Sequence, residues 1–216
     1  MTPCYLVQHC TPASRLLDLG CIRHAIYCAR HDIEHVVSDR RYSRQPPAWD
    51  KLAAVGEVLA NAPDGALVVS LDHDALVVSE NDLRSAPLGN AVVGAVRNVH
   101  GEFNTGVLFL RACQATRELV RRAFVDGPQF APGPHEHVAL NLLLRQTRLP
   151  LAVLSRRWNE YRYADLVPPP DGPTVIRAWH HEERGVAAHQ MSCVVAKLGG
   201  LTCSQVRSKG SISAIS

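Results

Sequence analysis

Basic runs and aromatic residues are both scarce in this chain, and that scarcity argues against a nucleic-acid binder. Aromatics make up 6% of the residues, the formal net charge is only +3, and no lysine-rich run occurs. The arginine pairs Arg40-Arg41, Arg121-Arg122 and Arg156-Arg157 read as solvated faces. No apolar run approaches the roughly 20 residues that a membrane-spanning helix requires. The first residues show neither the basic segment nor the long apolar stretch of a secretory signal. The seven cysteines include no CxxC pair. Cys4, Cys10, Cys21 and Cys28 are spaced by six, eleven and seven residues, unlike a zinc finger or ribbon. Buried free thiols in a reducing compartment are therefore expected. These absences describe a cytoplasmic protein with no nucleic-acid partner and no membrane span.

What is present suits one α/β domain. With 46% hydrophobic residues the 216-residue chain can bury a sizeable core. Residues 1–198 read as a single domain and residues 199–216, rich in Gly, Ser and Thr, as a disordered tail. Tyr5-Leu6-Val7 reads as a strand. Ser14 is placed to cap a helix through about His31, and Ile33–Val37 reads as a second strand. Pro46-Pro47 forces a loop. A helix over Trp49–Ala60 follows, and Ala66–Leu71 reads as a third strand. Strand and helix in alternation predict a mainly parallel sheet flanked by helices. Further on, Ala91–Val99 and Phe103–Arg111 are β-prone runs. Helices are expected over Gln114–Asp126 and His135–Gln146, with a Gly/Pro-rich loop between them. Short strands are expected at Leu151–Leu154 and Val175–Trp179, with a helix from about Glu182 to Leu198. No internal repeat is visible.

The most informative stretch is Leu71-Asp72-His73-Asp74-Ala75-Leu76. Two carboxylates, two residues apart, interrupt an apolar run of the kind a buried parallel strand shows. An ionised carboxylate is costly to bury without a partner, and two side by side repel each other. A divalent cation held where the strand ends removes both penalties. Oxygen ligands select a hard ion such as Mn²⁺ or Mg²⁺, which commonly also contacts substrate phosphates. In open α/β sheets, ligands bind beyond the carboxyl ends of the strands. That rule alone places Thr11 and Asp39, at the ends of the first two strands, beside a nucleotide.

The order of these motifs resembles a GT-A glycosyltransferase with a DxD motif. The nearest likeness is to the small galactosyl-, xylosyl- and mannosyl-transferase group related to yeast mannan and plant xyloglucan enzymes. It is carried by Arg23-His24-Ala25-Ile26-Tyr27-Cys28-Ala29-Arg30-His31, Trp49-Asp50-Lys51-Leu52 and the Asp72-His73-Asp74 triplet. Asn104-Thr105-Gly106-Val107, Glu136-His137-Val138-Ala139-Leu140-Asn141 and a histidine after the last strand complete the series. The resemblance implies a GT-A (Rossmann-like) fold and transfer of a sugar from a nucleotide-diphosphate donor, expected to be UDP-linked. The acceptor would be a glycan or small molecule, and transfer would proceed with retention. It also implies Asp72, Asp74 and His180, rather than His181, as ligands of Mn²⁺ or Mg²⁺. Glu136 and Asn104 would stand at the reacting sugar, Gly106 would let the backbone approach it, and Lys51 would contact the nucleotide end. A lysine on a solvated helix face explains Lys51 equally well.

Two other readings remain at this point. A sugar nucleotidyltransferase usually carries a Gly-rich loop after its first strand, whereas Gln8-His9-Cys10-Thr11-Pro12-Ala13-Ser14 contains no glycine. A non-catalytic nucleotide-sugar-binding protein is compatible with the short chain, though the intact acidic pair favours catalysis.

Overall fold

The computed structural model describes residues 1–9, 15–133, 136–161, 170–179, 190–191, 194–195 and 213–214. The strands in chain order are β1 (Cys4–His9), β2 (Glu34–Ser38), β3 (Leu67–Leu71), β4 (Ala75–Val77), β5 (Val93–Val96), β6 (Val107–Arg111), β7 (Leu151–Leu154), β8 (Glu160–Tyr161), β9 (Ile176–Ala178) and β10 (Ser213–Ala214). The helices are α1 (Arg15–His31), α2 (Asp50–Asn61), α3 (Gln114–Val125), α4 (Gly127–Phe130) and α5 (Glu136–Gln146). The first ninety residues therefore alternate as their apolar pattern predicts. The Gly/Pro-rich stretch after α3 is not wholly loop, since Gly127–Phe130 winds one helical turn. Of the expected helix from Glu182, residues 190–191 and 194–195 are helical and the rest lies outside the described residues, as does nearly all of the tail.

The main sheet has the order β10-β2-β1-β3-β6-β5-β7. All neighbours run parallel except at β6, which is antiparallel to both β3 and β5. This is the mixed, mainly parallel sheet that the alternation of strand and helix predicts. Side-chain alternation buries both faces, as expected for strands covered on two sides. Val7 and Val68 pack with Leu52, Val55, Leu119 and Leu140 of the helices on one face. Leu6, Val69 and Leu71 pack on the other with Tyr27 of α1, Val77 of β4 and Ile176 of β9.

Helix α2 presents Leu52, Val55 and Leu59 to the core at three- and four-residue spacing. It stops where Ala62 turns extended ahead of Pro63, which disfavours helical geometry in the residue before it. Gly127 lets α4 approach this helix's start, because a Cβ there would stand 2.7 Å from the Trp49 ring. Trp49 is fully buried, and its indole donates to Gly133 O at 2.6 Å.

The last strand of the pattern does not join the main sheet. β9 pairs with β4 and β8 in a separate three-stranded sheet. Ala75 lies opposite Ala178 there. No helix among the described residues is long and apolar enough to cross a membrane.

Candidate active site

Strand β3 ends at Leu71, and the Asp72-His73-Asp74 triplet forms the turn into β4, closed by Ala75 N–H donating to Asp72 O at 3.0 Å. Because β6 runs antiparallel to β3, Leu71 faces Val107, the first residue of β6. The Asn104-Thr105-Gly106 segment preceding β6 therefore arrives at the exit of β3. Asp72 N–H donates to Gly106 O at 2.8 Å, and Asn104 Oδ1 accepts from Gly106 N–H at 2.9 Å, tightening the turn. Asp72, Asp74, Asn104, Gly106, Glu136 and His137 line one cleft of about 340 Å³. Five residues expected at the site from the sequence are thus brought together: Asp72, Asp74, Asn104, Gly106 and Glu136.

Lys51 stands behind this cleft, and it is not on a solvated face. Its side chain is only 7% exposed. The ammonium lies 2.7 Å from Asp72 Oδ1 and 3.3 Å from Glu136 Oε1, and it also donates to Thr105 O at 3.3 Å. Burial alone would push the lysine pKa down, but attraction to Asp72 and Glu136 outweighs it and raises the pKa above its ordinary value. The preceding residue, Asp50, is fully buried and faces the loop that follows β2. Its Oδ1 accepts from Tyr42 N–H, Ser43 N–H and the Ser43 hydroxyl at 3.2, 3.0 and 3.0 Å, and its Oδ2 pairs with Arg41 at 3.1 Å. The first turn of α2 therefore holds the acids of the cleft through Lys51 and the loop after β2 through Asp50.

Asp39 follows β2 and is exposed. Thr11 and His180 lie outside the described residues. Trp179, immediately before His180, donates its N–H to Asp74 O at 3.1 Å. His9 ends β1, is buried, and packs its ring 6.0 Å from that of Tyr42, outside the cleft. Burial lowers the His9 pKa. Sequence reasoning missed the role of Asp50, for which the only local signal is an acid in the first turn of a helix.

The acidic pair suits a divalent cation on the chemistry of its donors. The carboxyl groups of Asp72, Asp74 and Glu136 face the cleft, offering hard oxygen atoms. The Lys51 ammonium pairs with Asp72 and Glu136. Asp74 Oδ1 is enclosed. The described residues contain no group of three His, Cys, Asp or Glu side chains close enough to form a complete protein cage. Two carboxylates with the remaining positions left to substrate oxygens is the arrangement Mg²⁺ commonly takes.

Known structures share this fold at low sequence identity. A glycosyltransferase involved in glycosylation of the major capsid of PBCV-1 superposes with a TM-score of 0.66 at 14% identity, covering 88% of this chain and 100% of that one. The galactosyltransferase LgtC, solved with donor and acceptor sugar analogues, gives 0.59 at 16% identity, covering 95% and 99%. A mutant of Drosophila β1,4-galactosyltransferase 7, solved with manganese, UDP-Gal and xylobiose, gives 0.51 at 12% identity, covering 86% and 73%. No family model matches the sequence, and no curated protein matches it. The fold is that of GT-A glycosyltransferases.

Proposed function

We propose that this chain is a metal-dependent glycosyltransferase that takes a sugar from a nucleotide-diphosphate donor, UDP-linked, and passes it to a glycan or small-molecule acceptor with retention. The observation that carries the proposal is the meeting of Asp72, Asp74, Asn104, Gly106 and Glu136 in one cleft at the exit of β3. That is where the GT-A sheet presents its strand ends and where ligands of open α/β sheets sit. Support for the donor class comes from two neighbours of the same fold, one solved with donor and acceptor sugar analogues and the other with manganese and UDP-Gal.

Asp72 and Asp74 would hold Mn²⁺ or Mg²⁺, with His180 as the third ligand. The contact between Trp179 and Asp74 O supports His180 by carrying the chain to the acidic turn one residue earlier. When bound, such an ion neutralises the charge that develops on a leaving diphosphate and orients it. The chain's own residues supply the rest. Lys51 fixes Asp72 and Glu136 relative to each other, Asn104 and Gly106 offer an amide and close backbone approach to the sugar, and Glu136 places negative charge at the reacting carbon. Asp39, which follows β2, and Thr11 would meet the base and ribose. The protein would act in the cytoplasm.

The test is a thermal-shift panel of UDP-, GDP- and dTDP-sugars with and without Mn²⁺. A ligand at 100 times its Kd stabilises the folded state by about 2.7 kcal/mol, so the donor stands out as a Mn²⁺-dependent rise in Tm. Transfer or hydrolysis of that sugar then separates an enzyme from a binding protein. A flat panel, or a donor whose binding ignores Mn²⁺, removes the proposal.

A further inference from the structure

Phe103 is joined to Arg97 by an isolated antiparallel bridge. The hydrogen bonds of that bridge are made by the residues on either side of Phe103, with Asn98 N–H donating to Glu102 O at 2.7 Å and Asn104 N–H to Val96 O at 2.8 Å. In such a pair the central residue's own N–H and C=O point away from the partner strand. On that far side no strand is present among the described residues. One side chain takes its place: Asn141 Oδ1 accepts from Phe103 N–H at 2.9 Å, and Asn141 Nδ2 donates to Phe103 O at 2.9 Å. The same Nδ2 donates to His137 O at 2.9 Å, on the preceding turn of α5. Asn141 is itself buried. A planar amide with one donor group and one acceptor is the chemistry a strand edge offers, and neither Asp nor Leu reproduces both halves of it.

The consequence runs straight into the cleft. The residues after Phe103 are Asn104, Thr105 and Gly106, whose carbonyls hold Lys51 Nζ and Asp72 N–H. The residue at the start of Asn141's own helix is Glu136, which faces the same lysine. We propose that Asn141 is a positioning residue of the sugar pocket: its amide locks the Asn104-Thr105-Gly106 turn to helix α5 and so sets Glu136 against Asp72. The proposal rests on the transferase reading above for its kinetic outcome, but the coupling itself is independent of it.

The test uses Asn141→Asp in the full chain, which keeps the acceptor and replaces the donor by a second oxygen facing two carbonyls. The measurements are turnover of the donor found in the sugar panel, UDP affinity in Mn²⁺ by calorimetry, and amide hydrogen exchange at Asp72 and Gly106. Displacement of reacting groups by about 1 Å can cost on the order of 100-fold in rate. The expected result is a kcat lowered by roughly 10- to 100-fold per folded molecule, with UDP affinity held within about twofold and faster exchange at both amides. An unchanged kcat, unchanged exchange, or a loss of UDP affinity in step with kcat overturns the proposal, the last because it marks general collapse. Should Asn141→Asp fail to fold, Asn141→Ser, smaller and uncharged, is measured with the same outcomes. If the parent protein turns over no nucleotide-sugar, the transferase reading falls, and exchange at Asp72 and Gly106 still decides whether Asn141 holds the turn.

Discussion

The Lys51 ammonium and the Asp72 carboxylate meet at 2.7 Å, with Glu136 at 3.3 Å on the lysine's other side. One cation thus joins α2, the exit of β3 and the start of α5. Removing it leaves two mostly enclosed carboxylates facing each other, with side-chain exposures of 28% and 11%. Breaking a buried pair by deleting one partner typically costs about 3–5 kcal/mol, because the remaining charge is uncompensated. Lys51→Met is expected to lose stability at the low end of that range, since Asp72 keeps access to water. Urea unfolding at pH 7 measures it. Mn²⁺ is expected to restore more stability to this variant than to the parent, because the lysine no longer competes for Asp72. Equal Mn²⁺ stabilisation of the two proteins would count against a cation at the acidic pair.

Asp74 is the acid that Lys51 does not engage. Its removal leaves the Lys51 pairs with Asp72 and Glu136 in place. Asp74→Ala is expected to abolish Mn²⁺-supported donor binding and turnover while leaving the unfolding midpoint within a few degrees of the parent. Calorimetry with UDP and Mn²⁺, paired with a thermal melt, reads both. Full activity in this variant would falsify the metal assignment.

The elements that shape the site were legible in the sequence to different degrees. The Asp72-His73-Asp74 triplet stood out because apolar residues on both sides made a solvated turn costly. The strand–helix alternation up to Leu71 followed from periodicity, and so did the placement of the acids at a sheet exit. What periodicity does not carry is strand direction. β6 lies antiparallel between β3 and β5, and only that reversal brings Asn104 and Gly106 to Asp72. Lys51 was ambiguous for a similar reason: a lysine in the first turn of an amphipathic helix looks solvated until a carbonyl and two carboxylates from distant segments close over it. Asn141 and Asp50 act on backbone groups 38 and seven or eight residues away, and no local pattern encodes those partners.

Acid is expected to weaken the fold through a histidine pair behind the site. Val77 N–H donates to His24 Nε2 at 3.0 Å, so that nitrogen carries the lone pair and His24 Nδ1 carries the hydrogen. That hydrogen goes to Gln8 Oε1 at 2.7 Å, which in turn fixes the amide so that His35 Nε2 donates to the same oxygen at 3.2 Å. Four elements, β1, α1, β2 and β4, are tied together by two neutral imidazoles. Arg23 completes the link by donating to Val77 O at 3.0 Å. A proton on His24 would take away the acceptor of Val77 N–H. Burial lowers the pKa of both histidines, that of His35 from 6.5 to about 4. The unfolded chain therefore binds these protons more tightly than the folded one. Stability is complete above the unfolded value near 6.5 and falls as the pH drops toward the folded value. For His35 alone the loss between pH 7 and pH 5 is about 2 kcal/mol. Urea unfolding at the two pH values checks it, with His35→Gln expected to flatten the slope. Equal stability of the parent protein at both pH values would show that these rings are not held neutral by the fold.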